Sequence, residues 1–200
     1  MSRAQTIFPQ LRSDKRGATA IEFGVVAPVL ILTLLGLSDL GYRVYAQSIL
    51  DGAMQKSGRD STLETNVTTD AGAELDAQVA KAVRTIAPNA TFETSRKSYA
   101  EFGRIRREDY PDANGNGVRD VGECFEDLNG NGKQDDDPGK VGQGGADDVV
   151  VYDVTVTYPR LFPLGKIMGW PAKQVIKGRT ILKNQPYNSQ NIPPIKVICT

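Results

Sequence analysis

The sequence predicts an α+β protein: one long N-terminal helix followed by a small antiparallel β-sheet head that carries an acidic loop insert. An almost uninterrupted apolar run, "GATAIEFGVVAPVLILTLLGLSDLGY", passes at its end into an apolar period of helical spacing. Segments of alternating apolar and polar residues follow in the second half, the clearest being "DVVVYDVTVTYP". Between two of these lies an Asn/Gly-rich stretch that holds half of the chain's acids. With 200 residues, 40% of them apolar and 7% aromatic, the chain can bury one modest core beside an appendage, so one head is expected.

Residues 1–17 are polar and basic, with Arg3, Arg12, Lys15 and Arg16 against Asp14, and read as a leader that stays in the cytoplasm. Residues 21–40 would form a helix of about 30 Å, the thickness of a bilayer's hydrocarbon core. Pro28 falls inside it and removes one backbone hydrogen bond, which a membrane helix tolerates where neighbours cover the gap. Beyond Leu40, Tyr42, Tyr45, Ile49 and Ala53 recur at helical spacing, with Arg43, Gln47, Asp51 and Lys56 on other faces. The helix is therefore expected over residues 18–57, with that stripe covered by the head, residues 58–200. Glu22 stands at the entrance of the apolar run. A carboxylate in lipid is costly, so one retained there marks function and needs a cationic partner. An ordinary signal peptide cut near Ala46 or Ser48 is the alternative; the long leader, the unbroken passage into an amphipathic helix and the acid itself weigh against it.

In the head, "SGRDSTLETNVTTDAG" reads as a loop. Asp70 is the expected N-cap of a packing helix lined by Leu75, Val79, Val83 and Ile86 and ended by Pro88. Strand signals are weak in "ATFETSRKSYAEFG", strong in "DVVVYDVTVTYP" and intermediate in "KQVIKGRTILKN". In the strong one, Val150, Tyr152, Val154, Val156 and Tyr158 alternate with Val151, Asp153, Thr155 and Thr157, as in a strand with one buried face. The apolar connection "PRLFPLGKIMGWP" is expected to pack over the core edge, a partner surface being the alternative. Residues 196–199 can add a short edge strand.

The 24 basic and 24 acidic residues cancel, so nucleic acid is not an expected partner. With no histidine, Ser-His-Asp and Cys-His centres and imidazole zinc sites are excluded, and no enzymatic activity is expected. Cys124 and Cys199 can form one bridge in an oxidising compartment or remain free thiols. Residues 108–148 hold twelve acids against Arg119, Lys133 and Lys140, a net charge of −9 that the rest of the chain balances.

The insert "DANGNGVRDVGE" matches the spacing of a calcium loop: Asp112, Asn114, Asn116, the turn glycine Gly117, the Val118 carbonyl, Asp120 and a closing Glu123. A second copy runs through Asp127, Asn129, Asn131, Gly132, the Lys133 carbonyl and Asp135. Pro138 occupies its twelfth position, so Asp136 or Asp137 would have to substitute. Only Cys124, Phe125 and Glu126 separate the copies, which leaves no room for flanking helices. The pair resembles the tandem calcium loops of dockerins and thrombospondin type 3 repeats. Calcium is the expected cofactor, the first loop being the more complete; a disordered, solubilising turn region is the alternative.

The segment "RGATAIEF" resembles the processing site of type IV prepilins and pseudopilins. More narrowly, "RGATAIEFGVVAPVLILTLLGLSDLGYRVYAQ" is similar to the TadE-like minor pseudopilins of tight-adherence (Flp, type IVb) pili, with Pro28 and the acid-to-glycine stretch Asp39–Gly41 in matching places. The resemblance implies a type IV pilin-like fold and cleavage after Gly17, which makes Ala18 the new terminus and Glu22 the fifth residue. It implies that Glu22 pairs with the terminal amine of a neighbouring subunit. The implied partners are other pilins and pseudopilins, the prepilin peptidase and the inner-membrane assembly platform. The implied setting is the bacterial inner membrane, single-pass with a periplasmic head, and the cell exterior once in a pilus. A secreted or membrane-tethered calcium-binding adhesion module, released by ordinary signal peptidase, is the competing expectation.

Overall fold

The computed structural model describes residues 16–61, 69–162, 165, 169–186, 188–190 and 192–199. The leader through residue 15 and residues 62–68 of the expected loop after the first helix lie outside the described residues. Two compact units are present: Met1–Val44 with Arg160–Ala172, and Tyr45–Pro159 with Lys173–Thr200. Helix α1, Arg16–Ser61, threads through both and is 46 residues long, which at the rise of an α-helix makes about 70 Å. It runs past residue 57 into the stretch read as loop.

Among the described residues the second unit has six strands: β1 Thr91–Tyr99, β2 Phe125–Asp127, β3 Lys140–Val141, β4 Val149–Pro159, β5 Lys173–Lys183 and β6 Lys196–Ile198. Strands β3, β1, β4 and β5 form one antiparallel sheet in that order, with Val154 of β4 facing Thr94 of β1 and Gly178 of β5. β4 lies inside the sheet: Val150, Tyr152, Val154, Val156 and Tyr158 are all buried as expected, and the alternation is clean from Tyr152 on, whereas Val151 of the other set is buried as well. Removing such side chains from water contributes about 1.5–3 kcal/mol each.

Helix α2, Thr69–Arg84, covers this face. Leu75, Val79 and Val83 are buried as expected, whereas the helix ends at Arg84 and leaves Ile86 half-buried in the following turn. Asp70 lies inside the helix and not at its cap, since Thr69 before it is already helical. Asp76 ties α2 to the sheet, accepting from the Tyr152 hydroxyl (2.5 Å) and the Thr94 hydroxyl (2.9 Å) and pairing with Arg96 (2.7 Å). Burial, then this hydrogen bond to a carboxylate, pushes the Tyr152 phenol well above its ordinary value.

The same face receives the head half of α1, through a different stripe from the one expected. Ala46, Leu50, Met54 and Ser57 are buried, while Tyr45 is exposed and Tyr42, Ile49 and Ala53 are only half-covered. Gly178 supplies the reason: a Cβ there would fall 2.1 Å from the Met54 sulfur and 3.4 Å from Leu50. The bare strand lets the thioether and leucine seat directly on the backbone, which leaves Tyr45 exposed. Gln47 fixes the register by donating to the Lys177 carbonyl at 3.0 Å.

One further expectation is corrected, and the connection after β4 gains a partner. Residues 196–198 form no edge on the main sheet; β6 pairs with β2 in a separate two-stranded ribbon, with Phe125 opposite Ile198. The connection after β4, Arg160–Ala172, groups with the apolar half of α1 in one compact unit, a partnership its own sequence does not announce. Its contacts there require partners far apart in sequence, which local periodicity does not report.

Candidate functional site

The acidic insert folds as two loops built on one plan. In the first, the Asp112 carboxylate accepts from the backbone N–H groups of Gly115 (2.7 Å), Asn116 (3.1 Å) and Gly117 (2.7 Å). The chain can close that tightly because Gly115 and Gly117 take φ of 72° and 75°, where a Cβ would be strained. The Gly117 N–H, followed by those of its neighbours, holds the Asp112 carboxyl below the usual carboxylate range. The side-chain amides of Asn114 and Asn116 both donate to Asp120 Oδ2, at 2.6 and 2.9 Å. Glu123, 8% exposed, closes the loop: Oε1 accepts from the Ala113 N–H at 2.8 Å and Oε2 from the Asp120 N–H at 2.9 Å.

The second loop repeats this. Asp127 accepts from the N–H groups of Gly130 (2.6 Å) and Gly132 (2.9 Å), and the amides of Asn129 and Asn131 donate to Asp135 Oδ2 at 2.9 and 2.6 Å. The seventh residues correspond too, the Val118 N–H donating to Asn116 Oδ1 and the Lys133 N–H to Asn131 Oδ1. The closing carboxylate comes from elsewhere. Glu108, 0% exposed, accepts through Oε1 from the Leu128 N–H (2.7 Å) and through Oε2 from the Asp135 N–H (2.8 Å). Leu128 and Asp135 are the second and ninth residues of their loop, as Ala113 and Asp120 are of theirs. Glu108 thus does for the second loop what Glu123 does for the first. Neither Asp136 nor Asp137 takes that place. Asp136 pairs with Arg107 at 3.1 Å, and Asp137 accepts from Lys97 (2.5 Å) and the Tyr99 hydroxyl (2.6 Å).

The insert is packed, not a loose solubilising turn. Phe125 and Leu128 are buried, Arg104 reaches the Leu128 and Pro193 carbonyls, and Cys124 is bonded to Cys199 across a Cα separation of 4.1 Å. Among the described residues no three Asp, Glu or Cys side chains converge as a ready-made metal cage. Each loop offers a mixed oxygen set of carboxylates, two amides and a backbone carbonyl, the hard donors that suit calcium, and its carboxylate oxygens are held on the loop's own N–H groups.

The other candidate residues lie on α1. Gly17 and Ala18 sit in its first turns, Gly17 exposed, and Glu22 is exposed with no cation paired to it among the described residues. Asp39 is the opposite case: fully buried, it forms an ion pair with Nη1 of Arg160. Nothing local to either residue announced this pair; the one signal was an arginine opening an otherwise apolar connection.

The segment Thr19–Asp60 of α1 includes a window of mean hydropathy 2.2 that is 6% buried, so this helix is long and apolar enough to cross a membrane. An apolar N-terminal helix that continues into a small antiparallel α+β head is the pilin-like arrangement. Residues 17–59 match the family described as TadE-like protein, consistent with a TadE-like protein of the tight-adherence pilus system. Comparisons with curated proteins and with solved structures gave no match.

Proposed function

We propose that this protein is a minor pseudopilin of a tight-adherence pilus, cut after Gly17 by the prepilin peptidase and held in the inner membrane, head outward, until assembly. The observation that carries the reading is Glu22: it stands fifth after Gly17 in the matched helix, exposed on an apolar rod, with no cation paired to it among the described residues. An amine at Ala18 of a neighbouring subunit would neutralise it, and separating such a pair once buried costs about 3–5 kcal/mol. Release by ordinary signal peptidase between residues 45 and 53 fits poorly, because Ala46 and Leu50 belong to the head's core. The mass of the mature N-terminus from membranes decides: a start at Ala18 supports the proposal, and a retained leader or a start beyond residue 45 overturns it. Glu22→Ala should still be cleaved yet fail to enter pili.

The second part of the proposal is that the insert binds calcium in both loops. What favours it is the repeated frame, with Glu108 as the closing carboxylate where Pro138 stands. Asp112, Asn114, Asn116, the Val118 carbonyl, Asp120 and Glu123 would hold one ion. Asp127, Asn129, Asn131, the Lys133 carbonyl, Asp135 and Glu108 would hold the other. Bound calcium would neutralise the insert's repulsion and stiffen the head. Calcium should raise the melting temperature of the full chain in detergent, and Asp112→Ala with Glu123→Ala should reduce that increment. An increment unchanged in the double variant counts against the first site.

A further inference from the structure

Gly36 and Asp39, three residues apart and so on one face of α1, are both buried although most of the surrounding apolar surface is exposed. What covers them is the start and end of the connection between β4 and β5. Arg160 pairs with Asp39, and its Nε donates to the Pro171 carbonyl at 2.7 Å. The Arg160 N–H donates to the Ala172 carbonyl at 3.2 Å, which closes the segment at its neck. The guanidinium also lies over the Trp170 ring, 5.0 Å from its centroid, and a Cβ placed on Gly36 would touch that ring at 3.9 Å. Leu161, beside Arg160, is 54% exposed.

These contacts fix a depth. If residues 21–40 fill the hydrocarbon, as the membrane-anchored reading on which this inference rests requires, Gly36 lies four residues, or about 6 Å, inside the end of the span. A ring against Gly36 is then at the headgroup and acyl boundary, where indoles prefer to sit. An acid at Asp39 would be costly there alone; Arg160 neutralises it, and its stem and stacked ring keep the pair apolar on the outside. We propose that the two described ends of this connection, Arg160–Leu161 and Trp170–Ala172, form an interfacial anchor, inserting Trp170 and Leu161 into the bilayer face at which the α1 span ends, with the Asp39–Arg160 pair holding it to the helix. Water gives an exposed leucine beside a tryptophan that lies against a membrane helix no stabilisation, whereas a lipid interface rewards both. The anchor gives the subunit a second membrane contact that must be withdrawn when it leaves the bilayer.

Trp170 is the only tryptophan in the chain, so its fluorescence reports this segment alone. The full chain is reconstituted in vesicles of phosphatidylethanolamine and phosphatidylglycerol that carry a spin-labelled lipid. Blue-shifted emission, weak quenching by acrylamide and stronger quenching by a label near the headgroup than by one near the acyl terminus are expected. Arg160→Gln should lose most of that lipid quenching. Water-like emission with strong acrylamide quenching overturns the anchor. Protection from both acrylamide and lipid quenchers overturns it as well, in favour of a protein contact. Flotation with the vesicles at alkaline pH separates the two failures: a chain that floats with a water-like Trp170 loses only the anchor, and one that does not float loses the membrane reading with it.

Discussion

Glu108→Ala tests the closing role of a residue that no calcium-loop pattern includes. The carboxylate is fully buried and accepts from the Leu128 and Asp135 N–H groups. Truncation leaves two loop donors without their partner. Hydrogen bonds to a charged acceptor contribute about 1.5–3 kcal/mol each, so the loss is about 3–6 kcal/mol. For a chain of this size that lowers Tm by roughly 10 °C. The assay is thermal unfolding of the full chain in detergent, in chelator, so that metal plays no part. Asp136→Ala is the control: its side chain is 85% exposed, its ion pair with Arg107 lies at the surface, and removing it should change stability by less than about 1 kcal/mol. A Glu108→Ala protein that melts with the wild type, or an Asp136→Ala protein that melts as early as Glu108→Ala, would refute the reasoning. With calcium added, Glu108→Ala should also lose the second loop's share of any stabilisation while keeping the first loop's.

Two other outcomes follow from the head. The Cys124–Cys199 bridge spans 75 residues of sequence, so reduction should destabilise the head by about 4 kcal/mol on a loop-entropy basis, read as a drop in Tm with reductant. The pH profile should have two limbs. Burial works against the Asp137 carboxylate, but Lys97 and Tyr99 hold it below its usual range, as the loop N–H groups hold Asp112. Their contribution is present above the unfolded value of about 4 and is lost as acid protonates the folded carboxylates. The Tyr99 phenol is shifted the other way, upward, by burial and by its bond to Asp137, with Tyr152 alongside. That contribution is complete below the unfolded value of about 10 and is lost at higher pH; Tyr99→Phe should flatten the alkaline limb in a pH-dependent melting series.

What was legible in the chain was what neighbours in sequence decide. The rise and hydropathy of α1, the alternation of β4 and the glycine and carboxylate spacing of both loops need only a few residues of context, and each is present. What escaped depends on a distant partner. Two apolar stripes run along the head half of α1, and the choice of Leu50 and Met54 over Tyr45 and Ile49 was made by Gly178 on another element. The second loop looked broken at Pro138 because its carboxylate precedes the first loop. The tail read as an edge strand until Cys199 drew it to β2.

The apolar half of α1 carries two acids, and the chain treats them differently. Asp39 is answered from within, by an arginine brought back on a connection between strands, so the helix can hold it without help from another molecule. Glu22 has no such answer among the described residues. A carboxylate left unpaired on a lipid-facing rod is costly enough to favour any arrangement that supplies a cation. An acid satisfied inside the subunit stabilises the monomer and carries no information about neighbours. An acid left open would make the lone subunit the less stable state, which is what the proposed pairing of Glu22 with a neighbour requires. The burial of Asp39 therefore strengthens the case that the exposure of Glu22 is functional, because the same helix shows that the fold can bury an acid where burial serves.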